Sequence, residues 1–202
     1  MKQNKIQANI EAFEKIVFDN IKREGIEELV DYLHNSDFFV APASTIYHGS
    51  YEGGLCEHCL NVYHCLVNEC EFTFGKDWQE HISPESVAIV ALFHDLCKVN
   101  SYEKYLRNVK NESTGKWEQV EAFRKNVMFP LGHGEKSMFI LMNYMYLEPM
   151  EALAVRWHMG AFDTGEYNNV NELSKAYEKS ILAFLLHVAD MKATYIVENE
   201  DN

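Results

Sequence analysis

Proline and glycine are scarce in this chain, with 4 and 10 among 202 residues. That scarcity excludes a loop-rich or collagen-like architecture and favours helices. No run of about 18 apolar residues occurs, so no transmembrane helix is expected. The N-terminal stretch has no continuous apolar core, so no secretory signal is expected either. Cysteines number 5, an odd count that argues against a disulfide framework and for reduced thiols in a cytoplasmic protein. Positive charge is also short. Lys and Arg total 18 against 31 for Asp and Glu, a net charge of −13. An extended polyanion or an anionic membrane surface is therefore a poor partner, because phosphate tracking needs neutralising Lys and Arg. A small phosphorylated molecule is not excluded if local groups supply positive charge.

What remains is ordinary globular material, 47% hydrophobic and 24% charged. Apolar residues fall at helical spacing over 6–33, with Gly25 as a divider. Residues 36–54 read as a loop punctuated by Pro42 and Gly53-Gly54, and 55–70 as a helix. Ser83-Pro84-Glu85 is a helix start, with Ser at the N-cap, Pro at N1 and an acid in the first turn. That helix is expected to run to about Val99. Between 102 and 123, Tyr105, Leu106, Val109, Trp117, Val120 and Phe123 flank a turn-rich centre, Asn111 to Gly115, which predicts a β-hairpin. Further helices are expected over 135–146 and 149–159, with Gly160 after the second, and a last long one over 177–197, apolar all round in its middle. The expected fold is mostly α, a helical bundle with a small β-hairpin insertion. It forms a single domain over 1–202, with an N-terminal helical segment at 1–39 and the hairpin at 100–125.

Several ionisable residues interrupt apolar helical stretches. His94-Asp95 follows the apolar run 87–93, and Asp190 ends the most apolar segment of the chain. His58 shares a helix face with Leu55 and Val62, and His158 follows Leu153, Ala154, Val155 and Trp157. His133 lies between Gly132 and Gly134, where the backbone permits close approach. A buried carboxylate costs several kcal/mol unless paired or metal-bound, so such positions need partners, and a divalent cation is a common one. Cys56 and Cys59 form a CxxC, but they fall within a predicted helix with no second pair, which leaves them as small core residues.

The segments Gly53-Gly54-Leu55-Cys56-Glu57-His58, His94-Asp95-Leu96-Cys97-Lys98 and His187-Val188-Ala189-Asp190 resemble the HD-domain superfamily of metal-dependent phosphohydrolases. The resemblance spans roughly residues 40 to 197. It implies that His58, His94, Asp95 and Asp190 hold a metal. Two histidine-bearing stretches, 130–137 and 156–160, resemble those that add a second metal in some branches, through His133 and His158. The resemblance further implies that Asp95 bridges the two ions. The HD-type 3′-to-5′ exonucleases share this ligand order, while the Gly-Tyr-Pro tripeptide of the HD-GYP branch is missing. The implied activity is hydrolysis of a phosphate ester, as a monoesterase or diesterase, through a metal-activated water. A nucleotide or similar small phosphorylated molecule is the expected substrate. The alternatives are an exonuclease on short single-stranded ends and a non-catalytic metal- or nucleotide-binding module.

Histidine and carboxylate donors suit one or two Mn, Fe, Co, Ni or Zn ions. Lys98 lies one turn from Asp95 and is expected to hold a phosphate oxygen or orient the attacking water. His48, in the loop before the first ligand, is expected to face the metals or the substrate. Residues 98–136 hold eight basic and five acidic side chains, a net +3 that leaves −16 for the remainder. The hairpin is therefore expected to act as a flap, with Lys104 or Arg107 near substrate phosphate.

Overall fold

The computed structural model describes residues 2–126, 129–163 and 170–199. It is mostly α, with one small antiparallel hairpin. The first helix, α1 (Lys2–Asn20), and the second, α2 (Ile26–His34), are divided where the sequence predicts, at Gly25. Gly25 has φ +91, and a Cβ there would lie 1.7 Å from the Tyr144 carbonyl oxygen. No other residue fits a left-handed turn pressed this closely against backbone.

Helix α3 (Gly54–Phe74) runs a turn beyond the predicted end and stops at Gly75 (φ +84). Helix α4 (Pro84–Phe93) starts at Ser83-Pro84 as predicted, but it ends well before Val99. Asp95 leaves helical geometry (φ −105, ψ 20), and a 3₁₀ turn over Leu96–Lys98 follows. Strands β1 (Tyr102–Lys110) and β2 (Trp117–Lys125) pair in register from Tyr102↔Lys125 to Lys110↔Trp117. The connecting loop is tied by Asn111 Oδ1, which accepts from the backbone N–H groups of Ser113 and Thr114. Helices α5 (His133–Met142) and α6 (Pro149–Trp157) follow.

The last predicted helix is two. Helix α7 (Val170–Lys179) ends at Ser180, and α8 (Ile181–Lys192) leaves at 109°. Ser180 Oγ accepts from the Ala183 N–H and donates to the Met150 carbonyl, so a capping serine turns the chain. Helix α8 is not buried all round, since Ile181 and Phe184 are more than 40% exposed. A π-helical turn over Ala193–Val197 extends it. Among the described residues, no single helix is long and apolar enough to cross a membrane.

One apolar cluster runs from Phe13 in α1 to Ala193 after α8. Its centre is α4, whose residues Val87 to Phe93 are fully buried, with α1, α3, α6 and α8 packed around it. Phe13, Phe38, Phe39 and Phe93 close one end with edge-to-face and tilted contacts. This packing brings the C-terminal ends of α4 and α6, the N-terminal ends of α3 and α5, and the last turns of α8 to one place.

Candidate metal centre

Each candidate ligand sits where a helix starts, ends or opens. His94 and His158 occupy the C-caps of α4 and α6 and are fully buried. They are held alike. His94 Nδ1 donates to the Ala91 carbonyl at 2.8 Å, and His158 Nδ1 to the Val155 carbonyl at 2.7 Å. Each ring therefore carries its proton on Nδ1 and turns a bare Nε2 inward. Both Nε2 atoms are buried and have no hydrogen-bond partner. A buried acceptor without a partner is costly, and two side by side mark a place for a cation.

Asp95 lies between them. Its Oδ1 is 2.7 Å from His133 Nε2 and 3.7 Å from His158 Nε2. Its Oδ2 is 3.5 Å from His94 Nε2, 3.6 Å from His58 Nε2 and 2.5 Å from Lys98 Nζ. The carboxylate thus turns one oxygen to one pair of imidazoles and the other oxygen to a second pair. Asp190 Oδ1 reaches His58 Nε2 at 3.2 Å from α8. His58, His94 and Asp95 form one group of close donor atoms; His94, His158 and Asp190 form another, and Asp95, His133 and His158 a third. These groups can hold a metal ion.

The electrostatics fit a cation. Burial works against the Asp95 charge, but Lys98, His94 and a hydrogen bond from His133 hold its carboxyl well below the usual range. Asp190 is likewise lowered, by His58, against burial. Burial lowers both His94 and His133; His94 keeps a bare Nε2, while His133 Nε2 donates to Asp95 Oδ1. Lys98 is raised because Asp95 outweighs the burial penalty. His58 is different. Burial opposes its charge, yet the Asp190 and Glu198 carboxylates raise it to about 9. Without an ion it carries a proton between two carboxylates, so taking up a cation at Nε2 releases that proton. Three carboxylates (Asp95, Asp190, Glu198) face one lysine and one histidinium, and the excess is negative.

A cavity of about 860 Å³ opens onto the centre. His133, Asp95, Lys98 and Asp190 line it, with the loop from Ser44 to Tyr51 on another side. His48 comes from that loop. Its ring centroid is 4.8 Å from that of His58, and both its nitrogens are buried without hydrogen-bond partners. Burial, then the charges of His58 and Lys98, lower it to about 4, so it is neutral.

The two hairpin cations lie elsewhere. Lys104 pairs with Glu52, and neither Lys104 nor Arg107 lines the cavity. Both strands are largely exposed, and at about 3.3 Å per residue Arg107 is ~17 Å along β1 from its start. The hairpin reaches the cavity only at its base, through the cross-strand pair Tyr102 and Lys125. Lys125 has no side-chain partner among the described residues.

Two residues at the site, Glu198 and Asp163, escape a reading of the sequence, and a third, His187, is named there only within a motif and without a role. Glu198 accepts from His58 Nδ1 at 3.0 Å and from Asn61 Nδ2 at 2.9 Å. Asp163 accepts from the backbone N–H groups of His133 and Gly134, which fixes the start of α5. His187 Nδ1 donates to the His158 carbonyl at 2.6 Å, one turn before Asp190. Spacing offers faint signals for two: His187 is at i−3 from Asp190, and Glu198 is eight residues beyond it. The five cysteines are all buried and unpaired, and burial raises Cys56 and Cys97 to about 12, as for inert core thiols.

No protein-family model matches the chain, and no curated protein and no solved structure matches it.

Proposed function

We propose that this chain is a metal-dependent phosphohydrolase of HD type, cleaving a phosphate ester in a nucleotide or similar small molecule. The observation that carries the reading is the Asp95 carboxylate, shared between two pairs of imidazoles, with one member of each pair, His94 and His158, turning inward a buried nitrogen that has no partner. A carboxylate with a separate histidine set on each oxygen suits a two-ion centre better than a salt bridge. In this reading His58, His94, Asp190 and one oxygen of Asp95 hold one ion. The other oxygen, with His133 and His158, holds the second. Mn, Fe, Co, Ni and Zn all fit such nitrogen and oxygen donors. Bound there, such ions lower the pKa of water and neutralise charge on phosphoryl oxygens.

The chain's own groups have distinct tasks. Lys98 keeps Asp95 ionised and holds its Oδ2 in place, while its ammonium borders the cavity. His94 and His158 are locked by their own helices, so their orientation needs no rearrangement when an ion arrives. Neutral His48 presents ring nitrogens with no protein partner, which suits a hydrogen bond to substrate or to a leaving oxygen. Lys125 is the hairpin cation placed to meet a substrate anion.

The test is metal analysis of the purified protein, followed by a panel assayed with Mn²⁺. The panel holds nucleoside mono-, di- and triphosphates, cyclic nucleotides and short single-stranded RNA. Up to two ions per chain and hydrolysis of a small phosphate ester are expected, and Asp95→Asn loses both while remaining folded by circular dichroism. Asp95→Asn that keeps its metal and its activity overturns the reading. Cleavage of RNA ends alone moves it to the exonuclease class.

A further inference from the structure

We infer that Glu198 is a positioning residue for the metal centre, and that it couples divalent-cation binding to docking of the C-terminal segment. The inference rests on the two-ion reading above and adds a residue and a linkage to it.

The argument starts from how the buried imidazoles are oriented. His94 and His158 satisfy Nδ1 with carbonyls of their own helices. His58, in the first turns of α3, instead meets a carboxylate 140 residues further along the chain. Both oxygens of Glu198 lie close, at 3.0 and 3.2 Å from His58 Nδ1. An acceptor at Nδ1 fixes the proton on that nitrogen. Nε2 is then the atom turned toward Asp95 and Asp190. A carboxylate behind a ligating histidine also raises its basicity and holds the ring plane. Asn61, one turn along α3, donates to the same carboxylate and aims it.

Glu198 is also what the C-terminal segment offers inward. Tyr195, Ile196 and Val197 are each more than half exposed, yet the Glu198 side chain is only 7% exposed. A carboxylate so covered is costly unless it is paired. Here its partners are His58 and Asn61, together with the Glu198 backbone N–H bonding the Ala193 carbonyl. The Glu198 side chain thus ties the segment to the first ligand, in addition to the packing of Ala193–Val197 on α3. Equilibrium coupling is reciprocal. If docking of Glu198 tightens the cation by some factor, the cation tightens docking of the segment by the same factor.

The experiment uses the full chain and two readouts that need no substrate. In the first, Zn²⁺ or Mn²⁺ affinity is measured by competition with a chromogenic chelator. Glu198→Ala is expected to weaken the tighter ion about 10- to 100-fold. Glu198→Gln keeps an acceptor for His58 Nδ1 and recovers most of that loss. In the second, chymotryptic cleavage after Tyr195 is followed in the wild-type protein with the metal and with EDTA. The metal is expected to slow cleavage at least tenfold, and this measurement stands whether or not a variant folds. Wild-type protein that binds metal with equal cleavage rates in both conditions overturns the inference. So does Glu198→Ala with affinity within twofold of wild type. Wild-type protein that binds no divalent ion overturns the two-ion reading itself, which separates the two failures.

Discussion

Arg23 is the clearest place to test the packing that assembles the site. It lies between α1 and α2 and forks onto Glu151, with Nη1 2.6 Å from one oxygen and Nη2 3.0 Å from the other. Glu151 sits in the first turn of α6, the helix that carries His158, and its side chain is 1% exposed. Its carboxylate also accepts from Ser86 Oγ at 2.6 Å and from the Glu148 N–H at 2.8 Å. Arg23→Met leaves a buried carboxylate with those two hydrogen bonds and no counter-charge. Breaking such a pair costs about 3–5 kcal/mol, and the two surviving bonds favour the lower end. For a chain of this size 1 kcal/mol moves the melting temperature by about 2–4 °C. The expected loss is therefore about 6–12 °C. Removing both charges behaves differently. Arg23→Met with Glu151→Leu trades the pair for apolar contact and no longer strands a charge, so the double variant is expected to be more stable than Arg23→Met alone. Urea unfolding of the wild type, both single variants and the double variant measures this directly. Metal stoichiometry stays unchanged throughout, because the pair braces α6 from the end away from His158. A loss below about 1 kcal/mol in Arg23→Met, or strictly additive effects, would refute the reasoning, since a stranded buried charge predicts strong coupling.

Two further outcomes follow from the geometry. A Cβ at Gly54 would lie 2.1 Å from the Gly49 carbonyl oxygen; Gly54→Ala is therefore expected to push the His48 loop outward and cost about 1–3 kcal/mol, and a melting temperature equal to wild type contradicts the close approach. Lys125 borders the cavity while Arg107 does not, so under the proposed phosphohydrolase function Lys125→Ala is expected to raise KM for a phosphorylated substrate several-fold, with Lys125→Arg restoring it and Arg107→Ala without effect; equal KM values in all three argue against a substrate contact at the hairpin base.

The helices were legible because the chain punctuates them. Gly25 and Ser83-Pro84 act where local chemistry alone sets a boundary, whereas the end of α3 at Gly75 lies a turn beyond the expected one. The hairpin was legible for the same reason, with its turn residues centred between two strands of equal length. The break at Ser180 was not, because apolar residues on both sides mask a capping serine, and only packing against the Met150 carbonyl decides that the helix turns there. The early end of α4 was hidden too. An apolar run cannot reveal that Asp95 leaves helical geometry to reach imidazoles from three other helices. At the site, polar residues stood out where they interrupt apolar helices, as His94, Asp95, His158 and Asp190 do. Glu198 did not, since acids near the end of a chain read as solvated charge until a partner on a distant helix is visible. The hairpin cations show a related limit of composition: net charge locates a segment but not which of its side chains line a cavity, and here Lys125 does while Lys104 and Arg107 do not.

The acidity of the chain bears on how such a centre works. In its buried part Asp95, Asp190 and Glu198 face Lys98 and, when protonated, His58. An anion meets net negative charge there. The same excess attracts cations, and each divalent ion brings two positive charges into a region where field lines pass through little water. Under the two-ion reading the sign of the potential at the cavity floor reverses as the ions load, and a phosphate ester gains its partners at that moment. Lys98 cannot substitute for the ions, because its charge is already committed to Asp95. Under the same reading the positive charge that phosphate chemistry needs comes from the bound ions and Lys125 at the cavity rim, not from the overall composition. Under that reading metal loading favours binding of a phosphorylated ligand, because it removes the negative excess that an anion otherwise meets.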